Sequence, residues 1–331
     1  MEQINGYTLD GPLKNDNSGM SKWGFAHKNG CAYFIKEFLS PVYPLDTVEL
    51  SASTLAHRRA ICDGFERAKA QLYKRINYAS RGSLVRVDEF FRAGSRYYIV
   101  TEKVETDERA SQNPSALTLS ERITLCQCIA FAFHCLHQGG VVHSDVKPGN
   151  ILLYRLPNGR CAAKVIDFDC SFLVESPPKD GDELGCDVLY LAPEGLLLLQ
   201  GEDVTLGPEI DVFSLGLVFH EYLTGHLPEF DAEAYGYPCG AALAGMLEPD
   251  LGSPQELLKV DASLPPQMRE LLERMLEPDP EKRLTMAQVI TALAKIADTP
   301  VTPEPPIPPN PDPPAPPDPD LPPWFHRPDD L

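Results

Sequence analysis

A short segment of the chain gathers residue types that can handle protons, metal ions and phosphate. Within Val141–Leu153, Asp145, Lys147 and Asn150 supply a carboxylate, an amine and a side-chain amide. A carboxylate can accept or orient a hydroxyl proton, an amide oxygen can hold a metal ion, and a lysine can neutralise charge on a phosphoryl group. The alternative interpretation is a polar loop that joins a helix to a strand.

A second acidic position follows 22 residues after Asp145. The run Lys164–Asp169 is an apolar strand that ends on Asp167 and Asp169. Carboxylates are oxygen ligands of the kind that Mg²⁺ binds. The same pattern also occurs at the end of a buried strand without any metal.

These two segments resemble signature motifs of the eukaryotic-type Ser/Thr protein kinase family. The segment His143–Asn150 is similar to the catalytic loop His-Arg-Asp-Leu-Lys-Pro-x-Asn, with Ser144 in place of Arg. The segment Lys164–Asp169 is similar to the strand that ends in Asp-Phe-Gly, with Asp169 in place of Gly. The resemblance covers about residues 7–298, and the order Asp-x-Lys resembles the Ser/Thr branch.

The resemblance implies a role for each of these polar residues. Asp145 would be the catalytic base, and Lys147 would neutralise charge on the transferred phosphoryl group. Asn150 and Asp167 would hold Mg²⁺, or alternatively Mn²⁺, against the phosphates of ATP.

The resemblance also implies a nucleotide site in the first third of the chain. Lys36, in a strand-like run, would contact the α- and β-phosphates. Thr101 would flank the adenine, and the backbone of Glu102 and Val104 would bond its edge. A lone strand lysine could instead be a solvent-facing charge.

The helix glutamate that pairs with Lys36 in the family has two candidates in this sequence. Glu66 is the first choice and Glu49 the second. Counting back from Leu84-Val85 leads instead to residues 68–72, about one helical turn later.

Three more departures from the family bear on activity. Gly19 is the one glycine where the family has Gly-x-Gly-x-x-Gly, which predicts a weaker hold on phosphate. Ser144 replaces the Arg that binds a phosphate on the activation loop in the family. Control by phosphorylation of that loop is therefore less expected. Asp187 stands where the family has Thr, and its carboxylate could mimic a phosphate or repel substrate.

Two further matches are structural rather than catalytic. Tyr190–Glu194 resembles the end of the activation segment, and Glu194 would pair with Arg283. Asp211, at the start of a central helix, would hydrogen-bond the backbone of the catalytic loop.

Local patterns indicate the elements that must position these residues. The apolar runs Trp23–His27 and Cys31–Phe38 flank Asn29-Gly30, which favours a tight hairpin. Thr118 and Glu121 form a capping-box pattern ahead of a helix. The remaining predicted elements are a helix over Thr54–Asn77, strands over Leu84–Phe91 and Arg96–Val104, and mainly helical chain from Asp211 to Asp298.

The composition separates a globular body from a proline-rich tail. The 331 residues include 48 acidic and 29 basic ones, for a formal net charge of −19, and 15 of the 33 prolines lie in residues 300–331. This acidity argues against nucleic-acid binding, and no apolar run approaches the roughly 18 residues of a membrane span. The N-terminus lacks a secretory pattern. The nine cysteines are expected to be reduced thiols of a cytoplasmic protein.

We therefore expect an α+β, bilobal protein-kinase-like fold. A small β-rich lobe would cover about 7–103 and a larger, mainly helical lobe about 104–298, followed by a disordered acidic tail, 299–331. The expected function is transfer of the γ-phosphoryl group of ATP to Ser or Thr hydroxyls of protein substrates.

Two alternatives to that function and two interpretations of the tail stay open. The alternatives are a scaffold that binds a nucleotide or partner without turnover, and a small-molecule phosphotransferase on the same fold. The tail could dock on an adaptor protein or act as a stiff spacer. Trp324-Phe325 are expected to contact the body or a partner.

Overall fold

The computed structural model describes residues 2–15, 21–45, 50–107 and 113–297. Four predictions concern residues outside these ranges. They are the loop around Gly19, Glu49 as a partner of Lys36, the disorder of the tail 299–331, and the contacts of Trp324-Phe325.

The first part of the chain builds a sheet and one long helix, α1 (Ala52–Ala79). Among the described residues the sheet has six antiparallel strands in the order β1-β2-β3-β4-β6-β5. The sheet begins at Gln3, a few residues before residue 7, at which the resemblance to the kinase family is expected to begin. The strands are β1 (Gln3–Ile4), β2 (Tyr7–Leu9), β3 (Ser21–Lys28), β4 (Cys31–Phe38), β5 (Val87–Ala93) and β6 (Arg96–Glu102).

The hairpin between β3 and β4 fixes the position of Lys36. Asn29 and Gly30 adopt φ values of 53° and 80°, as a two-residue turn with left-handed backbone requires. The resulting register places Lys36 between Trp23 on β3 and Ile99 on β6. Lys36 therefore lies in a central strand, and the predicted hairpin is confirmed.

Helix α1 packs one apolar face against the sheet and the rest of the core. Ser51 caps its start by accepting a hydrogen bond from the Thr54 N–H. Tyr73 follows Phe65 by eight residues, about two turns, and Ile76 follows Tyr73 by three, so the three side chains lie on one face of the helix and pack into the core. The helix predicted over residues 54–77 is confirmed within two residues at each end.

The second part of the chain is mainly helical. Strand β7 pairs with β10 and β8 with β9, each as an antiparallel pair. No helix in the described part of the chain is long and apolar enough to cross a bilayer. The elements are α2 (Leu119–Gln138), β7 (Val141–Val142), β8 (Ile151–Arg155), β9 (Cys161–Val165), β10 (Phe172–Leu173), α3 (Pro193–Leu199), α4 (Glu209–Thr224), α5 (Ala232–Tyr235), α6 (Pro238–Leu247), α7 (Pro254–Leu257), α8 (Pro266–Met275) and α9 (Met286–Ala297).

Helix α4 forms the centre of this helical part. Nearly all of its residues are buried, because it is apolar on every side. It ends at Gly225, whose φ of 92° is left-handed. Upstream, the predicted capping box of Thr118 and Glu121 starts α2. The β-rich and helical parts together form the expected α+β, two-lobed fold.

Candidate active site

A cavity of about 280 Å³ lies between the β3–β4–β6 part of the sheet and the chain that follows β9. Thr101, Glu102 and Val104, the residues expected around adenine, all line it. Lys36 and Asp167, expected at the phosphates and the metal, line it as well. The fold therefore brings together five residues from three widely separated parts of the sequence.

The carboxylate of Glu102 is engaged within the protein. Lys164, a buried lysine of β9, donates a hydrogen bond from Nζ to Glu102 Oε1 at 2.7 Å. This contact ties the end of β6 to the strand that leads to Asp167. The side chain of Glu102 therefore connects two strands that line the cavity or lead into its lining.

The catalytic-loop backbone is held by Asp211, at the start of α4. The N–H groups of His143 and Ser144 donate to the two oxygens of the Asp211 carboxylate, each at 2.8 Å. Ser144 has a φ of 70°, in a left-handed region that non-glycine residues seldom occupy. The expected role of Asp211 is confirmed, and its two hydrogen bonds stabilise this uncommon backbone conformation.

The three polar residues of the loop form one hydrogen-bonded cluster. Lys147 Nζ lies 3.2 Å from Asp145 Oδ1 and 3.0 Å from Oδ2. Asn150 Nδ2 donates to Asp145 Oδ2 at 3.0 Å and to the Asp145 carbonyl at 2.8 Å. Because both amide hydrogens of Asn150 point to Asp145, its amide oxygen is the atom left to face a cation.

Asp187 adds a second carboxylate beside Lys147. Its backbone N–H donates to Asp145 Oδ1 at 2.9 Å, and its Oδ2 lies 3.8 Å from Lys147 Nζ. Partial burial alone would lower the pKa of Lys147, but the hydrogen bond and charge of Asp145, together with Asp187, raise it above its usual value. Lys147 is thus held as an ammonium between two acids.

Lys36 reaches across the cavity to the acidic segment after β9. Its Nζ lies 2.9 Å from Asp167 Oδ1 and 2.7 Å from Asp169 Oδ2. Burial would lower the pKa of Lys36, but the two carboxylates raise it. Burial would raise the pKa of Asp167, but the ammonium of Lys36 keeps it below its usual value.

The acidic segment and the catalytic loop are neighbours. The Ile166 N–H donates to the Asn150 carbonyl at 2.9 Å, and His143 Nε2 lies 3.0 Å from the Ile166 carbonyl. Asp167 follows directly, with a left-handed φ of 62°. These contacts place Asn150 beside Ile166, the residue that directly precedes Asp167.

The donor set at this point fits Mg²⁺. No group of three or more His, Cys, Asp or Glu residues suited to a metal occurs in the described ranges. Mg²⁺ does not need such a cage, because it commonly takes one or two protein oxygens and completes its octahedron with phosphates and water. Asp167 and the amide oxygen of Asn150 supply two such oxygens.

The prediction that Glu66 pairs with Lys36 is wrong. Glu66 Oε1 instead accepts a hydrogen bond from the Tyr97 hydroxyl at 2.8 Å and lies 3.8 Å from Arg92 Nε. The α1 residue that reaches the acidic segment is Lys69, whose Nζ donates to the Asp169 carbonyl at 2.7 Å.

The packing of α1 explains this difference of one turn. Lys69 lies four residues after Phe65 and four before Tyr73, so all three share the core-facing side of the helix. That spacing was present in the sequence and could have identified Lys69. The register counted back from Leu84-Val85 points to the same turn.

The expected pair of Glu194 and Arg283 is confirmed. Arg283 donates to the two carboxylate oxygens of Glu194 at 2.6 and 2.9 Å, and both side chains are buried. The same guanidinium also donates to the carbonyls of Glu209, Glu277 and Pro278. It therefore joins α3, α4 and the segment before α9.

Similarity to known proteins agrees with this geometry. A family model described as "Protein kinase domain" matches residues 67–293, about two thirds of the chain. The match begins inside α1, after the strand that carries Lys36.

Individual relatives carry kinase names. Calcium-dependent protein kinase 3 of Oryza sativa subsp. japonica is 31% identical over 209 residues, which are 63% of this chain and 33% of that protein. Calcium-dependent protein kinase 12 of Arabidopsis thaliana is 27% identical over 262 residues, 78% of this chain and 50% of that protein. Aurora kinase of Schizosaccharomyces pombe is 29% identical over 210 residues, 63% and 53% respectively. The chain thus spans between a third and about half of their length.

Proposed function

The chain belongs to the protein kinase family, and from this premise we propose that it is an ATP-dependent kinase that phosphorylates Ser and Thr hydroxyls of protein substrates. One observation carries the proposal. Asp145 contacts both Lys147 and Asn150, while Lys36 reaches Asp167 across the cavity at 2.9 Å. Separate lobes thus supply the parts that phosphoryl transfer requires.

The nucleotide would be held by groups from both lobes. ATP with Mg²⁺ supplies the phosphoryl group and the cation that shields its charge. Asn150 and Asp167 are the protein ligands that we assign to the metal. Lys36 would bind phosphate oxygens, while Thr101 and the backbone of Glu102 and Val104 would surround the base, as the cavity lining supports.

Asp145 is the group that we assign to the substrate hydroxyl. As the hydroxyl oxygen bonds to the γ-phosphorus, the bond to the departing ADP oxygen breaks and the hydroxyl proton passes to Asp145. Asn150 keeps the Asp145 carboxylate oriented through its amide hydrogens. Lys147 would neutralise charge on the phosphoryl group as it moves.

Ser/Thr specificity is the finer part of the proposal. It is supported by the order Asp145-x-Lys147, which resembles the Ser/Thr branch of the family. Protein rather than small-molecule substrates are favoured by the Ala192-Pro193-Glu194 segment and its buried partner Arg283. A cytoplasmic location and adaptor docking on the tail stay predictions.

A phosphotransfer assay tests the proposal. The full chain is incubated with labelled ATP, Mg²⁺ or Mn²⁺ and a generic basic protein, and phosphoamino-acid analysis of the product separates Ser and Thr from Tyr. We expect Asp145→Asn to lose activity by roughly 10²–10⁴-fold. The proposal fails if the wild type transfers no more phosphate than Asp145→Asn with either metal.

A scaffold without turnover is the second candidate. It is favoured by one observation: the ammonium of Lys36 is shared by two carboxylates, Asp167 and Asp169. A protein that is stabilised against heat by Mg²⁺ and ADP but transfers no phosphate would identify this function.

A further inference from the structure

The shorter of the two Lys36 contacts is made by an unexpected residue. Asp169 Oδ2 lies 2.7 Å from Lys36 Nζ, against 2.9 Å for Asp167. Lys36 is 7% exposed, so its ammonium depends on protein partners for compensation. The family motif has glycine at this position, which could offer no such partner.

Helix α1 presents a charge of the opposite sign from the one that the family resemblance implies. Lys69, on the core-facing side, donates to the Asp169 carbonyl at 2.7 Å, and its Nζ lies 5.9 Å from the rings of Phe38 and Tyr73. The acidic residues of α1 are Asp63 and Glu66, both before Lys69. The helix therefore has no carboxylate on the turn that faces Lys36.

The two changes compensate each other electrostatically. A lysine on α1 beside Lys36 would place two ammonium groups in a poorly solvated site. Asp169 contacts both, since its carboxylate meets Lys36 and its carbonyl accepts from Lys69, and its negative charge favours both ammonium groups. Asp167 is the residue assigned to the metal, which leaves Asp169 as the carboxylate committed to Lys36.

We propose that Asp169 is the positioning residue for Lys36, and that Lys69 of α1 holds Asp169 in place. The carboxylate that the family carries on the helix has thus moved to the residue after Phe168. This inference deepens the proposed function, since it concerns the lysine assigned there to the phosphates of ATP.

A double-mutant cycle tests this exchange. Asp169→Gly removes the partner of Lys36, and Lys69→Glu gathers three carboxylates around one ammonium. We expect each change alone to weaken the binding of Mg²⁺-ADP and to raise the KM for ATP by about tenfold, with the KM for a peptide substrate unchanged. The double variant returns a carboxylate to the helix and should recover about tenfold over Asp169→Gly alone.

Matched variants control for general effects of charge and folding. Lys74→Glu makes the same charge change at an exposed position of α1 and should alter neither KM. Asp169→Asn, of the same size as aspartate, replaces Asp169→Gly if the glycine variant does not fold. The melting temperatures of the same variants without nucleotide measure the coupling between residues 69 and 169 independently of any activity.

The outcomes separate this inference from the proposed function. If the double variant loses as much nucleotide binding as the sum of the two single variants, the two residues are not coupled. That result would overturn the inference even in an active kinase. Coupling in ADP binding and in unfolding, in a wild type that transfers no phosphate, would support the inference and reject the kinase proposal. The inference would also be overturned if Lys69→Glu changed the KM for ATP no more than Lys74→Glu does.

Discussion

At the scale of single residues, Lys147 lies between two acids. Asp145 makes the closer contact, at 3.0 Å, and the carboxylate of Asp187 lies 3.8 Å away. An ammonium so compensated offers less net positive charge to a phosphoryl group. In the proposed mechanism, Asp187 would therefore lower the electrostatic support that Lys147 gives in the transition state.

Asp187→Asn should raise the rate of phosphotransfer. The amide keeps the size of the side chain, the Oδ1 that accepts from the Leu189 N–H, and the backbone donation to Asp145. It removes one negative charge near Lys147, which we expect to raise kcat by about threefold to tenfold. Steady-state kinetics with saturating ATP measure the change. A fall in kcat would show that the Asp187 carboxylate itself takes part in positioning.

Residues in contiguous motifs could be predicted directly from the sequence, whereas Lys69 could be identified only from its spacing to the aromatic residues of α1. The contact of Asp169 with Lys36 had no signal in the sequence. Asp145, Lys147 and Asn150 are fixed within six residues by the chemistry of one loop, so their types and spacing suffice. Which helix residue meets Lys36 depends on how α1 rotates against the sheet. That rotation is set by aromatic packing, which a list of charged residues does not contain.

At the scale of elements, Arg283 joins three parts of the helical lobe. Its side chain is fully buried and bonds the carboxylate of Glu194 in α3 and the carbonyl of Glu209 in α4. A buried charge with all partners in place is stable, but the partners depend on it. The connection of these elements therefore depends on one guanidinium.

Arg283→Ala should destabilise the fold strongly. It leaves Glu194 as a buried carboxylate without its counter-ion, and we expect a loss of about 3–5 kcal/mol in the free energy of unfolding. Denaturant unfolding measures the loss. The neighbouring Lys282→Ala is the control, because its ion pair with Asp279 involves a side chain that is 73% exposed. A similar effect of the two substitutions would contradict this account.

A second connection between elements depends on pH. His220, buried in α4, lies with Nδ1 2.8 Å from the His226 carbonyl, and its Nε2 accepts from the Asp261 N–H at 3.0 Å. Only the neutral ring fits both contacts. Burial lowers the pKa of His220 below its ordinary 6.5, and the contact with the His226 carbonyl and the charge of Asp261 offset only part of that shift.

The fold should therefore lose stability as the pH falls below about 6.5. In this range the unfolded chain takes up a proton on residue 220 while the folded protein does not, so unfolding is favoured. His220→Gln should flatten the dependence of the melting temperature on pH between 7 and 5.5. An unchanged slope would assign the effect to other groups.

At the scale of the whole molecule, the formal charge of −19 creates a long-range field. Such a field attracts cationic partners and is screened by salt. This effect depends on the sum of charges rather than on any contact within the fold.

Basic peptides should be phosphorylated faster at low salt. We expect kcat/KM for a Lys- and Arg-rich peptide to fall by about tenfold between 20 and 300 mM salt. A neutral peptide of equal length should change little, and parallel kinetics of the two check this. Equal salt dependence would show that the net charge does not steer substrate.

The aromatic rings at the cavity also provide an optical property. Phe34 lines the cavity. Trp23 stacks on the ring of Phe34, with the ring centroids 5.9 Å apart and the planes at 22°. The sequence contains two tryptophans, Trp23 and Trp324. Replacing Trp324 by phenylalanine would leave a single tryptophan, Trp23, which is separated from the cavity by the ring of Phe34. The chain thus carries a built-in fluorophore through which the arrival and departure of a nucleotide could be followed in real time, without any label.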